Sequence, residues 1–302
     1  MCPRIHALCP VRGMTWVPVA LAAPLRGVRP ASVSDTVPNS STAAHQSDHI
    51  FKACGLPVFF PSSVQDILDM GLHAFAMSRF AGVWSSMKTI QEIVESSSSI
   101  SVDPDRVDII LPEDFRMPEG GLHIRWPDAP LEQESRLMDY KWYAALAYVR
   151  ANRLNHNVIE GKNDRFGIIA SGKAYNDTRQ ALHDLGLDDD TCRRIGLRLH
   201  KVNVVWPLEA TITREFAEGL EEILVVEEKR ARVENQLKEQ LYNWNEKVRP
   251  RVIGKFDESG EWILPSADEL TPARIARVIA KRIARFYTSP RIEQRLAFLE
   301  AK

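Results

Sequence analysis

The sequence has little cysteine and no long apolar run, and these two absences exclude several classes of protein. No two of its four cysteines form a Cys-x-x-Cys pair, so they give no indication of a zinc or iron–sulfur site. No apolar run approaches the roughly 18–20 residues that span a bilayer. The scarcity of cysteine favours a reduced, cytoplasmic setting.

The sequence also lacks a strong charge of either sign. The formal net charge is −1, so the overall balance does not indicate a nucleic-acid-binding protein. With 44% hydrophobic and 26% charged residues, the composition is typical of a soluble globular protein. A chain of 302 residues is long enough for two ordinary domains.

Acidic residues are missing from the first 34 positions, which contain four arginines and five prolines. An arginine-rich start without acidic residues can be a targeting peptide. The prolines would break the amphipathic helix that a transit peptide needs. The pattern therefore indicates that residues 1–36 are an unstructured extension or a misassigned start. A targeting peptide is the less favoured alternative.

Apolar runs alternate with helical patterns between residues 167 and 256. The runs are 168–170, 202–205, 223–226 and 252–256. Strands that alternate with helices predict an α/β fold with parallel strands and crossover helices. The predicted core residues of this sheet are Ile168, Ile169, Val204, Val225 and Val226.

Polar turns follow the predicted strands, where the carboxyl ends of a parallel sheet gather ligands and partner surfaces. The turns begin at Ser171-Gly172-Lys173, at Trp206-Pro207-Leu208 and at Glu227-Glu228. A small polar turn, a proline turn and a double carboxylate, in that order, form a distinctive pattern.

This pattern resembles the transketolase C-terminal-like domain of the thiamine-diphosphate-dependent 2-oxoacid:ferredoxin oxidoreductases, and most of all the fused bacterial indolepyruvate ferredoxin oxidoreductases. The stretches that carry the resemblance are GIIASGKAY (167–175), VVWPLE (204–209), EEILVVEEKR (221–230), QLKEQLYNW (236–244), PVFFPSSVQDILDMGLHAFAMSR (57–79), DPDRVDIILPEDF (103–115), GGLHIRWPD (120–128) and DYKWYAALAYVRANRLN (139–155). The resemblance covers residues 37–302 and leaves out 1–36.

The resemblance implies a partial thiamine-diphosphate-binding-fold domain followed by a transketolase C-terminal-like α/β domain with a parallel sheet. The implied segments are an unmatched extension (1–36), a partial pyrimidine-type thiamine-binding domain (37–135), a connecting helix (136–160), the transketolase C-terminal-like domain (161–265) and basic linker helices (266–302).

The function that the resemblance implies is oxidative decarboxylation of an aryl 2-oxoacid such as indolepyruvate. Thiamine diphosphate with magnesium, iron–sulfur clusters and coenzyme A would serve the complete enzyme, and ferredoxin would take the electrons. The expected partners are the diphosphate-binding and cluster domains and a second copy in a dimer, with no nucleic acid or membrane.

Three parts of that machinery are missing from the sequence. Residues 1–36 contain no glutamate to activate the aminopyrimidine, no Gly-Asp-Gly occurs, and no cysteine-rich segment exists. We therefore expect a fragment that is inactive alone. The alternative is a non-catalytic subunit-interaction module derived from such an enzyme.

Two segments hold the remaining site candidates. His45 and His49 have the spacing of a metal pair, but position 46 is Gln, which removes the base of a metalloprotease motif. By the resemblance, a serine pair followed by such a segment lines the 2-oxoacid pocket, and structural hydrogen bonding is an equally good alternative. The candidates for that pocket are Ser40, Ser41, His45, Gln46 and His49.

The second segment is the carboxyl edge of the predicted sheet. GIIASGKA (167–174) approaches a phosphate-binding loop, but its isoleucines belong to a strand and Ala174 replaces the magnesium-binding hydroxyl. Ser171 and Gly172 are left as a weaker anion site at a helix N-terminus. If Glu227 and Glu228 are neighbours on a strand, their side chains point to opposite faces and cannot act as an acid–base pair. One of them is expected to face a partner or to pair with Lys229 or Arg230. A structural ion pair is the simpler alternative.

Outside the sheet, the spacing predicts a helix after Pro61-Ser62-Ser63, a strand over 107–111 and a helix over 138–153. The predicted buried face of the first helix is Ile67, Leu68, Leu72, Phe75 and Ala76. A last helix is predicted to begin at Thr271-Pro272, a cap followed by proline.

Overall fold

A computed structural model describes residues 32–35, 46, 48–125 and 127–301. The strands are β1 (Ser32–Asp35), β2 (Val58–Phe59), β3 (Ser86–Ile90), β4 (His156–Ile159), β5 (Phe166–Ala170), β6 (Leu197–Lys201), β7 (Val204–Trp206), β8 (Glu222–Val226) and β9 (Arg251–Ile253). The helices are α1 (Asp48–Ala53), α2 (Val64–Ala81), α3 (Gln91–Val94), α4 (Pro130–Arg136), α5 (Trp142–Ala151), α6 (Gly172–Asp184), α7 (Asp189–Ile195), α8 (Ala210–Ala217), α9 (Val233–Leu241), α10 (Pro272–Ile283) and α11 (Pro290–Glu300), with a π-helical turn over Leu137–Lys141. No helix of the described residues combines the length and the hydropathy needed to cross a bilayer.

The chain divides into two compact units. Of the described residues, the first contains those up to Arg153 together with Asn203–Pro207, and the second contains Leu154–Val202 and those from Leu208 onward. Along the chain, the short segment Asn203–Pro207 therefore interrupts the second unit and belongs to the first. The predicted domain boundaries stay a prediction.

The first unit contains a sheet in the order β1-β3-β2-β7. The first three strands are parallel and β7 joins β2 antiparallel. Residues 32–35 form β1, so the prediction that residues 1–36 are unstructured is wrong for these four, and the others lie outside the described residues.

Helix α2 begins where the sequence predicts. Ser63 is its N-cap and accepts a hydrogen bond from the Asp66 backbone N–H at 3.0 Å, while the Asp66 carboxylate accepts from Ser62. The predicted buried face is wrong, because Leu68 and Leu72 are exposed. The helix buries Met70, Ala74, Met77, Ser78 and Ala81 instead. Apolar residues occupy both faces, so periodicity alone did not select the buried one.

The predicted strand over 107–111 does not form. These residues have no strand pairing, and Ile109, Ile110 and Leu111 are exposed. The side chain of Asn152 bonds both the N–H and the C=O of Ile110 at 2.8 Å, which satisfies backbone groups that a sheet would have used. The helix predicted over 138–153 is present as the π-helical turn and α5.

The second unit contains a five-stranded sheet in the order β4-β6-β5-β8-β9. β5 pairs parallel with β6 and β8, β9 extends the sheet parallel to β8, and β4 closes the other edge antiparallel. The predicted parallel sheet is therefore present. Its closing strand is β9, at the start of the predicted run 252–256.

The prediction that residues 202–205 form the second strand of this sheet is wrong. β6 occupies that place, and β7 belongs to the sheet of the first unit. β6 alternates leucine with Arg198 and His200, which makes it look like a half-exposed segment. The guanidinium of Arg198 is buried, and its Nε donates to the Asp164 carboxylate at 2.9 Å while Nη1 donates to the Phe216 carbonyl at 2.7 Å.

Helices cover both faces of the second sheet. One face packs on α6 and α10 through a core that includes Ile168, Leu224 and Val226. On β5, the hydrogen of Gly167 leaves room for Phe216 and Leu220, because a Cβ there would overlap both side chains. All five predicted core residues, Ile168, Ile169, Val204, Val225 and Val226, are buried, although Val204 lies in the first unit.

Helix α10 begins as predicted, with Thr271 as its N-cap and proline at its first position. Its basic residues are not all directed to solvent. The Arg282 side chain is 2% exposed and lies 2.8 Å from the Glu258 carboxylate, and Arg285 lies 3.2 Å from that of Glu222. This helix therefore contributes both its apolar face and part of its charge to the second unit.

Candidate functional site

Charged residues gather at the carboxyl edge of the second sheet, where β5 and β8 end. β5 is followed by Ser171, the N-cap of α6, and β8 is followed by Glu227 and Glu228. Parallel strands place their carboxyl ends at one edge, so these segments are neighbours. Two groups of contacts form here, one around Lys173 and one around Glu227.

The first group, the Lys173 cluster, consists of Lys173, Asp177, Glu228 and Glu269. The ammonium of Lys173 lies 2.6 Å from Asp177, 2.9 Å from Glu269 and 3.8 Å from Glu228, and it donates to the Leu270 carbonyl at 3.2 Å. The N–H of Leu270 donates to Glu228 at 3.2 Å. The cluster thus ties α6, the end of β8 and the loop before α10 together.

Burial and charge act in opposite directions on this lysine. Burial lowers the pKa of Lys173, but hydrogen bonds to Asp177 and Glu269 and the attraction of Asp177 and Glu228 outweigh it and raise the pKa to about 12. Burial raises the pKa of Glu228, which Lys173 partly offsets. Three carboxylates around one ammonium hold that ammonium firmly in its charged form.

The second group is a buried carboxylate that caps a helix. Glu227 accepts hydrogen bonds from the backbone N–H groups of Arg232 at 2.9 Å, Val233 at 3.0 Å and Glu234 at 3.1 Å. These are first-turn donors of α9, which have no partner within the helix. Burial raises the pKa of Glu227, and the three backbone donors oppose that shift.

Lys255 connects the cap to the strand at the sheet's edge. Its ammonium donates to the Glu227 carbonyl, and its backbone N–H donates to the Glu234 carboxylate at 3.0 Å. Gly254 makes this approach possible, since a Cβ at that position would overlap the Glu234 carboxylate. Burial lowers the pKa of Lys255, and the carboxylates of Glu227 and Glu228 oppose that effect.

The predicted anion candidates Ser171 and Gly172 lie at the N-terminus of α6. Ser171 is buried, and its side chain makes no capping hydrogen bond. Lys173, which follows them, turns its ammonium to the carboxylates of its own cluster. The isoleucines before Ser171 lie inside β5, in agreement with the rejection of a phosphate-binding loop.

The pocket candidates of the first unit are described only in part. Ser40, Ser41 and His45 lie outside the described residues. Gln46 precedes α1 and is half-buried, and His49 lies in the first turn of α1 beside the buried Asp48. The 2-oxoacid pocket assigned to this segment stays a prediction.

The described residues do not fit a metal ion or an iron–sulfur cluster. No group of three His, Cys, Asp or Glu side chains among them could hold a metal. Cys54 is exposed in the first unit and Cys192 is buried in the second, where burial raises the pKa of its thiol to about 12. A cluster needs several thiolates together, and these two cysteines do not supply them.

Several site residues escaped the sequence analysis. Asp177, Lys255 and Glu269 contact the predicted residues at the carboxyl edge and were not themselves predicted. Asp177 follows Lys173 at i+4, a spacing that signals a helical ion pair and could have indicated the contact. Lys255 and Glu269 are brought in by the tertiary fold, and no local pattern marks them.

Replacement of Lys173 by Met should lower the free energy of unfolding by about 3 kcal/mol, because it leaves buried carboxylates without their cation. The raised pKa means that the folded state binds this proton more tightly than a free lysine with its pKa of 10.5. The contribution is therefore complete below pH 10.5 and is lost only as pH rises through about 12. The same loss is expected in urea titrations at pH 7 and pH 9.

The matched control is Arg193→Met. Arg193 pairs with Asp190 at 2.8 Å on the surface of the same unit, with both side chains exposed. Exposed ion pairs usually contribute about 0–1 kcal/mol, so the loss of this pair should lower the free energy of unfolding by well under 1 kcal/mol. Equal effects of the two substitutions would contradict the role given to the Lys173 cluster.

The fold and this edge define a class: an α/β protein with a doubly covered parallel sheet of the transketolase C-terminal-like kind. A solved structure of the same fold is the 2-oxoglutarate:ferredoxin oxidoreductase from Magnetococcus marinus with 2-oxoglutarate, coenzyme A and succinyl-CoA bound. The match has a TM-score of 0.50 at 14% identity and covers 84% of this chain and 49% of that one. The predicted fold class is confirmed.

Sequence comparison shows which proteins this chain resembles. Residues 155–302 match the indolepyruvate ferredoxin oxidoreductase middle domain. The indolepyruvate oxidoreductase subunit IorA of Pyrococcus abyssi is 28% identical over 254 residues, which are 80% of this chain and 35% of that protein. The subunit of the same name from Methanothermobacter thermautotrophicus is 27% identical over 212 residues, 67% of this chain and 32% of its own length.

These matches confirm the predicted resemblance to the indolepyruvate ferredoxin oxidoreductases. The chain spans about a third of the length of the curated relatives that it matches.

Proposed function

We propose that this chain forms the sheet-bearing middle part of an aryl 2-oxoacid:ferredoxin oxidoreductase in the cytoplasm. The proposal rests on one observation: the sequence match to the family and the second compact unit begin at nearly the same residue. The middle-domain match begins at residue 155, and the second compact unit begins at Leu154. The family resemblance therefore falls on a folded unit and not on scattered motifs.

The proposed reaction is the oxidative decarboxylation of a 2-oxoacid such as indolepyruvate to an acyl-CoA, with two electrons passed to ferredoxin. Thiamine diphosphate supplies the carbanion chemistry when bound, and clusters carry the electrons. The described residues fit neither magnesium nor a cluster. We therefore assign these cofactors and the coenzyme A to an assembly with the diphosphate-binding and cluster domains, and expect a dimer of that assembly.

Within the assembly, the two units have different proposed roles. The segment before α1, together with the first turn of α1, would line the 2-oxoacid pocket. The carboxyl edge of the second sheet would contact another domain or hold an anion. The residues proposed for the pocket are Ser40, Ser41, His45, Gln46 and His49, and those proposed for the edge are Ser171, Gly172, Glu227 and Glu228.

A second candidate function is a non-catalytic subunit-interaction module. It is favoured by the way the edge charges are used. The three carboxylates around Lys173 and the one in the Glu227 cap are engaged inside their own unit. Such an edge can keep its shape without a cofactor, as an interaction module requires.

Turnover measurements distinguish the two functions. The purified chain, given indolepyruvate or phenylpyruvate with thiamine diphosphate, magnesium, coenzyme A and an electron acceptor, should form no acyl-CoA. Activity should appear when a polypeptide with the diphosphate-binding and cluster domains is added, since catalysis needs all the parts in one site. Gln46→Ala should then lower the rate, and Ser98→Ala, in an exposed loop, should not.

Two results would contradict the proposal. Cofactor-dependent turnover by the chain alone would show that it carries a complete site. Binding of the second polypeptide without any turnover of 2-oxoacids would instead favour the interaction module. Circular dichroism of Gln46→Ala checks that a lower rate does not come from unfolding.

A further inference from the structure

The first unit contains one backbone feature that the proposed function does not use. Between α4 and α5, residues Leu137–Lys141 form a π-helical turn, in which the N–H of Trp142 bonds to the Leu137 carbonyl five residues earlier. Such turns insert one residue into a helix and change the direction in which neighbouring side chains point. They occur preferentially at functional sites.

A cavity of about 400 Å³ lies against this turn. Its walls come from the segment after α1, the loop that ends α2 and the π-helical turn itself. The volume is within the range of small-molecule sites. The apolar residues that line it are Leu56, Val83, Trp84, Ile124, Leu137 and Met138.

Lys141, the last residue of the π-helical turn, places a cation in this apolar wall. It is half-buried, and its ammonium donates one hydrogen bond, to the Gly82 carbonyl at the end of α2, at 3.0 Å. No carboxylate of the described residues lies within 4.0 Å of it. Burial lowers the pKa of Lys141, as expected for an ammonium that lacks a counter-ion.

The other cation of the cavity is already neutralised. Arg136 forms an ion pair and hydrogen bond with the Asp128 carboxylate. The two cations of the cavity therefore differ, and only Lys141 has the capacity to hold an incoming negative charge. An ammonium in a partly apolar site gains most from a single charge-assisted hydrogen bond.

We propose that this cavity binds a small organic anion with one carboxylate and a flat apolar body, the carboxylate meeting Lys141 and the body lying along Trp84 and Met138. The site is separate from the carboxyl edge and does not depend on the proposed function. A neutral apolar ligand would leave the ammonium unpaired. A phosphate would bring more charge than one lysine balances.

Titration calorimetry of the full chain tests the charge with two ligands of one shape. The carboxylate 2-naphthoate should bind at least tenfold more tightly than its neutral amide, 2-naphthamide. Lys141→Gln keeps a donor for the Gly82 carbonyl but removes the charge, so it should weaken naphthoate at least tenfold and leave naphthamide unchanged. Lys52→Gln, on the exposed face of α1 in the same unit, should change neither.

A second measurement locates the ligand without relying on affinity. Cys54 is exposed and lines the cavity, so bound naphthoate should slow its alkylation by iodoacetamide, followed by mass spectrometry of the Cys54 peptide. Trp84→Ala should remove this protection. Equal affinities for the acid and the amide, unchanged binding to Lys141→Gln, or no protection of Cys54 would each overturn the proposal.

Discussion

A chain with Val226→Asp is expected to lose the fold of its second unit. Val226 is fully buried in β8, paired with Ala170 of β5, and belongs to the core on the α6 and α10 face. An aspartate there would be a buried carboxylate without a partner, which costs several kcal/mol, roughly the stability of a small domain at about 5–15 kcal/mol. Leu224→Asp, two residues earlier on the same face, should act in the same way.

Two matched variants separate the effect of charge from that of position and size. Val248→Asp carries the same change at a site that is 61% exposed in the same unit, and it should unfold as the wild type does. Val226→Ala removes the same methyl groups without adding charge, and should retain the fold at a cost of about 2 kcal/mol. Urea denaturation followed by circular dichroism measures all of them. A cooperative transition of normal midpoint in Val226→Asp would show that the β8 assignment is wrong.

The sequence was sufficient to predict the parallel sheet because its central strands are apolar on both faces. β5 and β8 are buried along their whole length, so they appear in the sequence as short uninterrupted apolar runs, 168–170 in β5 and 223–226 in β8. β6 was not predicted because it contains a charged residue, Arg198, that is nevertheless buried. The guanidinium donates its hydrogen bonds to Asp164 and to backbone carbonyls inside the protein. Burial of a charge depends on partners that are distant in sequence, and periodicity does not reveal them.

The adjacent run 202–205 shows the opposite error. It is as apolar as a central strand, yet β7 pairs antiparallel with β2 in the first unit. Hydrophobicity predicts that a strand is buried, but it does not specify in which sheet. The same limit explains why the buried face of α2 was predicted wrongly. The helix has two apolar stripes, and the one that includes Leu68 and Leu72 is exposed.

The site was predictable only where its residues are close in the sequence. The position of Glu227 and Glu228 at the end of a strand follows from the pattern of β8. Their roles do not, because Glu227 caps α9 and Glu228 lies near Lys173, a residue of another strand–helix unit. Both residues lie just after β8 and not within it, so the different positions of their carboxylates are set by the loop and by these partners.

The second large effect is expected from Glu227→Ala, which should lower the free energy of unfolding by about 3 kcal/mol or more. The change removes the acceptor of three backbone N–H groups at Arg232, Val233 and Glu234. These three residues are buried, so water does not replace the carboxylate, and each unsatisfied donor costs roughly 1–3 kcal/mol. Glu227→Gln keeps one acceptor oxygen but turns an amide N–H toward a donor, so its free energy of unfolding should lie between those of the wild type and Glu227→Ala.

The control is Thr271→Ala, which removes a single capping bond to Arg274 on α10 of the same unit and should cost only about 1 kcal/mol. Urea titrations give the ranking, and hydrogen exchange should show faster exchange in the first turn of α9 for Glu227→Ala alone. If Glu227→Ala and Thr271→Ala proved equally mild, the buried cap would not be what fixes α9 against the sheet, and an interface role for Glu227 would become the better account of its position.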